Sequence, residues 1–137
     1  MGCDIHISLE IRRAGVWEPA NTYYKHEDEF RILEVWEGRN YELFSQLCGV
    51  RGMSNCSKIS EPKDFPLNCS KETLDFLDEP DYHSHSWNNL VELRNVGTDH
   101  MGWMIQSIEA QLEKLMLWSW IRPENGNDVR IVYAFDN

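Results

Sequence analysis

The chain has 137 residues, 42% of them hydrophobic and including six Trp, five Tyr and five Phe, enough to build one core and too apolar for a disordered chain. Its 23 Asp and Glu against 13 Lys and Arg give a formal charge of −10, which repels phosphate backbones and anionic lipid heads. Duplex nucleic acid and membrane surfaces are thereby disfavoured as partners. A small anionic ligand held by local arginines, a metal cation or a protein partner stays open.

The length fits a single domain over residues 1–137, with no internal repeat or low-complexity tract. The four cysteines, Cys3, Cys48, Cys56 and Cys69, form no CxxC pair, and no basic and apolar signal segment opens the sequence. Reduced thiols in a reducing cell interior are the expectation. Gly2 suggests myristoylation, but position 6 is His where Ser or Thr is needed. The apolar stretch Met101–Ile121 carries Gln106, Glu109, Gln111, Glu113 and Lys114, so it predicts no membrane span.

In chain order, residues 3–11 alternate cleanly: Cys3, Ile5, Ile7, Leu9 and Ile11 on one face, Asp4, His6, Ser8 and Glu10 on the other. This predicts a half-buried strand, turning at Arg12–Gly15 into a hairpin that stops at Pro19. Residues 20–38 show no clear period. Asn40 caps a predicted helix through Cys48, closed by Gly49. Residues 49–69 read as a long loop, and Ser70 caps a short helix ending near Asp78. Ser86 is placed to cap a helix starting at Trp87. Thr98 or Asp99 opens the main helix, with Met101, Met104, Ile105, Ile108, Leu112, Leu115 and Met116 at helical spacing, ended by Pro123 and the loop after it. A closing strand runs from Val129 to Phe135. The implied fold is α+β: a small antiparallel sheet, made of the N-terminal hairpin and the C-terminal strand, covered on one face by helices. The other face is expected to display Asp4, His6, Ser8 and Glu10.

Asp4 and His6, two apart on a strand face, sit about 7 Å apart at the backbone and can share a metal ion or a phosphate. His83 and His85, in Asp81-Tyr82-His83-Ser84-His85-Ser86-Trp87, supply further imidazoles. Together Asp4, His6, His83 and His85 suit a divalent metal of the hydrolytic type, or general acid and base without metal. The same residues also suit a solvated strand face beside a packed turn. His6-Ile7-Ser8-Leu9 fits the His-hydrophobic-Ser/Thr-hydrophobic tetrapeptide of two-histidine phosphoesterases, whereas neither His83 nor His85 opens a second copy. Arg39 and Arg51, flanking the 40–48 helix, can hold a phosphate, and Tyr41 and Trp87 can stack a base. Surface ion pairing and core packing are the plainer uses of these four residues. Cys3 falls on the apolar face, where burial is expected.

Met1-Gly2-Cys3-Asp4-Ile5-His6, Arg39-Asn40-Tyr41 with Leu43-Phe44, His83-Ser84-His85-Ser86-Trp87, and Val129-Arg130-Ile131-Val132 with Phe135-Asp136-Asn137 resemble a family of small phage and prophage proteins. The resemblance implies a viral origin and a bacterial cytoplasmic setting, and carries no catalytic role with it. Such proteins often counter host defence, and several defence systems signal through cyclic or ADP-ribose-derived nucleotides. The expectation is a hydrolase acting on a phosphodiester or nucleotide small molecule, with a host immune signalling nucleotide as one candidate. The alternative is a non-catalytic counter-defence binder that sequesters a nucleotide or inhibits a host protein. Either form is compatible with a homo-oligomer.

Overall fold

The computed structural model describes residues 2–20, 23–26, 29–32, 36, 38–52, 58–119 and 126–136. Cys56, the Pro123 stop and the final Asn137 lie outside them. The elements in chain order are strands β1 (Asp4–Arg13), β2 (Val16–Pro19), β3 (Tyr23–His26) and β4 (Glu29–Ile32), then helices α1 (Tyr41–Cys48) and α2 (Lys71–Leu77). Strand β5 (Tyr82–Asn89), helices α3 (Leu90–Arg94) and α4 (Asp99–Ser119), a 3-10 turn (Gly126–Asp128) and strand β6 (Val129–Asp136) complete the chain.

The main sheet has four strands in the order β2-β1-β6-β5, every neighbouring pair antiparallel, and β3 and β4 form a separate antiparallel hairpin. The first hairpin closes through Ala14 and Gly15, both at positive φ (50° and 78°). Positive φ at both central residues matches the right-handed twist of the strands they join. β1 pairs with β6 over its length, from Asp4 opposite Asp136 to Ile11 opposite Val129. The two ends of the chain thus pair within one antiparallel sheet, as expected, and β5 on the far side of β6 makes them its centre. Ile5, Ile7, Ile131 and Tyr133 are buried in one cluster with Met101, Met104, Ile108 and Leu112 of α4 and Leu43, Phe44 and Leu47 of α1.

The helix boundaries follow their caps. The Asn40 side chain accepts from Leu43 N at 3.0 Å, and Gly49 (φ 82°) closes α1 in the left-handed conformation that favours glycine. Ser70 caps α2 by accepting from Thr73 N, and the Thr98 hydroxyl accepts from Met101 N at the start of α4.

Two expectations are corrected. Residues 82–89 continue the sheet, and the helix after them starts at Leu90, not Trp87. Asn89 is the cap: it accepts from Glu92 N while the Glu92 side chain accepts from Asn89 N, a reciprocal box that Ser86 cannot form from inside a strand. The second sheet face is not left open along its length. α2 and the loop before it lie across it, with Leu77 packed on Val132 and Ala134, and Ser8 and Glu10 fully buried beneath. Their polar atoms are satisfied there: Ser8 Oγ meets Thr73 Oγ1 at 2.8 Å, and Glu10 accepts from Ser70 N (3.1 Å), Thr73 Oγ1 (2.8 Å) and Arg130 Nε (2.8 Å). A polar strand face can be buried when each group finds a partner.

Candidate functional site

The α2-covered face has an open end on either side of the helix. At the end nearer the chain termini, Asp4 and His6 lie on this face with Arg39 on Asp4, while Tyr41 and Arg51 sit at the same end on the core side, beside Cys3. The Arg39 guanidinium forks onto the Asp4 carboxylate, Nε to Oδ1 at 2.8 Å and Nη2 to Oδ2 at 3.3 Å. That hydrogen bonding, ahead of the charges of Arg39 and His6, holds the Asp4 carboxyl below the usual aspartate value. Gly2 makes room for this fork, since a Cβ at Gly2 would lie 1.8 Å from Arg39 Nη1. Cys3 N donates to the Tyr41 hydroxyl at 3.2 Å, and the Arg51 guanidinium carbon sits 5.4 Å from the Tyr41 ring centroid. His6 Nε2 donates to Asp136 Oδ2 at 2.7 Å, and its ring stacks on Tyr82 with centroids 4.5 Å apart and planes 6° from parallel.

His83 and His85 go elsewhere. A bulge between His83 and Ser86, with Ser84 at φ 55°, inserts one extra residue and turns the two imidazoles to opposite faces. His83 pairs with Phe135 and its ring tilts over the Phe135 ring at 6.2 Å, while its Nδ1 meets Ser84 Oγ at 2.9 Å. His85 shares the α2 face with His6 across β6, but its ring packs on Phe65 at 4.7 Å, and it is Tyr82 that stacks on His6. A backbone carbonyl only accepts, so the contact of His85 Nε2 with Leu77 O at 3.0 Å makes that nitrogen a donor. His85 thereby satisfies one of the carbonyls that end α2. Among the described residues, no group of three or more His, Cys, Asp or Glu side chains is arranged to hold a metal ion.

At the other open end, an open groove of about 930 Å³ lies between the sheet, the loop before α2 and the turn before β6. Its wall is a ladder of alternating cations and indoles. The Arg12 guanidinium carbon is 5.2 Å from the Trp17 ring centroid, Arg130 is 3.8 Å from Trp17 and 5.7 Å from Trp87, and Lys63 Nζ is 3.8 Å above Trp87. The strand register produces this order: Arg12 opposes Trp17 across β1 and β2, Glu10 opposes Arg130 across β1 and β6, and Trp87 follows on β5. Arg130 is the fixed centre, buried and held by Glu10, with Nη1 donating to Asn68 Oδ1 at 2.9 Å.

The two ends of the ladder are looser. Arg12 donates Nε and Nη2 to Asp128 Oδ1 (2.9 and 2.7 Å), a pair open to solvent. Lys63 lies 3.6 Å from Glu92 Oε2, longer than a direct hydrogen bond. Exposed pairs of this kind contribute about 0–1 kcal/mol, so an incoming phosphate competes readily with either carboxylate. The cover over Trp87 is also the weaker kind. A lysine over an indole near the surface is worth about 0.5–1 kcal/mol, against about 1–3 kcal/mol for a stacked base.

Of the residues that line this groove, sequence reading singles out Trp87 alone. Arg12 and Trp17 read as parts of a turn and a hairpin, Lys63 as loop, and Arg130 as part of a closing strand. The signal that joins them is the pairing register, which a single sequence does not carry. No helix among the described residues is long and apolar enough to cross a membrane. Compared with protein-family models, curated proteins and solved structures, the chain matches none of them.

Proposed function

We propose that the chain is a non-catalytic binder of a small nucleotide-type molecule, which it sequesters in the Trp17–Trp87 groove. The observation that carries this reading is the cation–indole ladder lining a cavity of about 930 Å³. That volume lies in the range of small-molecule sites, about 300–1,000 Å³. Aromatic surface with cations beside it is what a base and a phosphate require together. In a chain of net charge −10, the wall holds three cations, each with a carboxylate partner, and the Arg12 and Lys63 pairs at its ends are the ones a phosphate can exchange into.

Distance favours binding over hydrolysis. Arg130, at the groove, and Asp136, the partner of His6, are six residues apart on β6, about 20 Å by strand rise. His6 and Asp4 therefore do not reach a ligand seated in the groove, and general acid–base transfer needs contact within about 3 Å. With the phage-type resemblance, sequestration of a host signalling nucleotide is the role this binding would serve.

The test is calorimetric titration with a nucleotide panel on the wild-type chain and on Leu67→Glu and Leu67→Lys. Leu67 lines the groove and is fully exposed, so neither change disturbs the core. At low salt the glutamate should weaken binding and the lysine strengthen it, each about two- to threefold. Heating the complex should return the nucleotide intact. Affinities unmoved by either charge, or release of a cleaved product, would overturn the reading.

A further inference from the structure

The two indoles of the ladder are not equivalent. Trp17 is buried, 8% exposed, with Arg130 and Arg12 both over its ring. It is a wall. Trp87 is only partly buried, and Lys63 lies over it on a flexible four-carbon stem. The root of that stem is fixed: Lys63 N donates to Ser86 Oγ at 3.1 Å, and Asp64 N donates to His85 O at 2.8 Å. The loop therefore keeps its place on the edge of β5 while the lysine head turns about it.

We infer that Trp87 is the base platform of the groove and Lys63 its phosphate clamp, and that the ligand class is a nucleoside carrying a terminal phosphate. This assignment rests on the groove being the binding site. A base lies on the Trp87 indole in the position the ammonium holds, and the displaced ammonium leaves Glu92 for the phosphate. No covalent bond changes. Because only one indole has a displaceable cover, one base is stacked. Arg130 stays with Glu10 throughout, since the two side chains are buried against each other.

The experiment uses the full chain and three probes, adenosine 5′-monophosphate, adenosine and ribose 5-phosphate, titrated into wild type, Lys63→Met, Trp87→Phe and Trp87→Ala. The monophosphate should bind wild type at least tenfold more tightly than either half. Lys63→Met should reduce its affinity to that of adenosine and leave adenosine binding equal or stronger, because the indole is uncovered. Trp87→Ala should weaken both base-bearing probes about tenfold or more and leave ribose 5-phosphate unchanged. Trp87→Phe, which keeps a ring in the packing, should fall between and guards against a misfolded alanine variant. Monophosphate affinity that is equal in wild type, Lys63→Met and Trp87→Phe, yet still responds to Leu67→Glu, overturns the assignment and keeps the groove. If no probe binds wild type at millimolar concentration, the assignment and the groove reading both fall.

Discussion

The two ends of the α2-covered sheet face use the same kinds of residue to different effect. At the groove end the central ion pair, Arg130 with Glu10, has side chains only 3% and 0% exposed. At the other end His6 and Asp136 are 20% and 31% exposed, and Arg39 and Asp4 are 53% and 44% exposed. Burial decides what each pair does. A sealed pair holds elements in place, because losing one partner leaves a charge with neither water nor counterion. An exposed pair is screened and contributes little to stability. The sealed pair lets the groove end carry outer cations with loose partners, because its wall does not depend on them.

The largest effect should come from separating the sealed pair. Glu10→Gln or Arg130→Met alone should cost about 3–5 kcal/mol in urea unfolding. The double variant Glu10→Leu with Arg130→Met should recover a good part of that loss, since neither charge is then orphaned. Single losses below about 1 kcal/mol would mean that the two ends do not differ.

His6→Ala should be milder, about 1–2 kcal/mol, from the lost Asp136 contact and the lost stack on Tyr82. The native fold and nucleotide binding at the groove should both survive it, checked by circular dichroism and titration. Weakened groove binding in this variant would couple the two ends and contradict their separation.

The thiols sharpen the comparison through pH. Burial, reinforced by the neighbouring Glu10, pushes the Cys69 thiol up to about 12, and burial pushes Cys48 up to about 11. Their folded values lie above the ordinary 9.0, so the stability they add is whole below pH 9 and is lost as pH rises through the folded values. Tyr133, buried with its hydroxyl donating to Asn88 Oδ1 at 2.6 Å, is raised as well and acts in the same direction. Melting temperature should fall steadily from pH 9 to 11, and Cys48, which is buried, should resist iodoacetamide until the chain unfolds. Rapid alkylation of folded Cys48 at pH 8 would contradict its burial.

The smallest effect belongs to Gly2→Ala. The new methyl pushes the Arg39 head aside, and because that head is flexible and exposed, stability should hardly move. Asp4 should respond: its lowered pKa should return toward the ordinary 3.8, followed by carboxyl carbon shifts. In wild type the small stability tied to Asp4 is present above that ordinary value and is lost as pH falls through the depressed one.

Local features were the legible ones. The alternation of Cys3–Ile11, the Asn40 and Ser70 caps, the Gly49 stop and the periodicity of α4 each depend on neighbours in sequence, and each has its structural counterpart. What depends on distant partners was not legible. Glu10 reads as a solvent-facing strand residue until Arg130, 120 residues away, is known to lie opposite it. The Ser84 bulge is invisible in His-Ser-His-Ser, so His83 and His85 read as a pair although they face opposite ways. Asp4, His6 and Arg39 do gather, with Asp136 and Tyr82 instead of a second histidine, while Tyr41 and Arg51 meet beside Cys3. The ladder was hidden for the same reason as Glu10: its members come from four strands and a loop.

The most direct measurement is a nitrogen-resolved NMR titration of the wild-type chain with adenosine 5′-monophosphate, following the indole signals of Trp17 and Trp87 beside the ring signals of His6 and Tyr82. Binding in the groove should shift the Trp87 indole most and Trp17 less, while His6 and Tyr82, at the other end of the face, stay in place. Shifts confined to His6 and Tyr82, with both indoles silent, would put the ligand at the wrong end of the sheet and contradict the groove as the binding site.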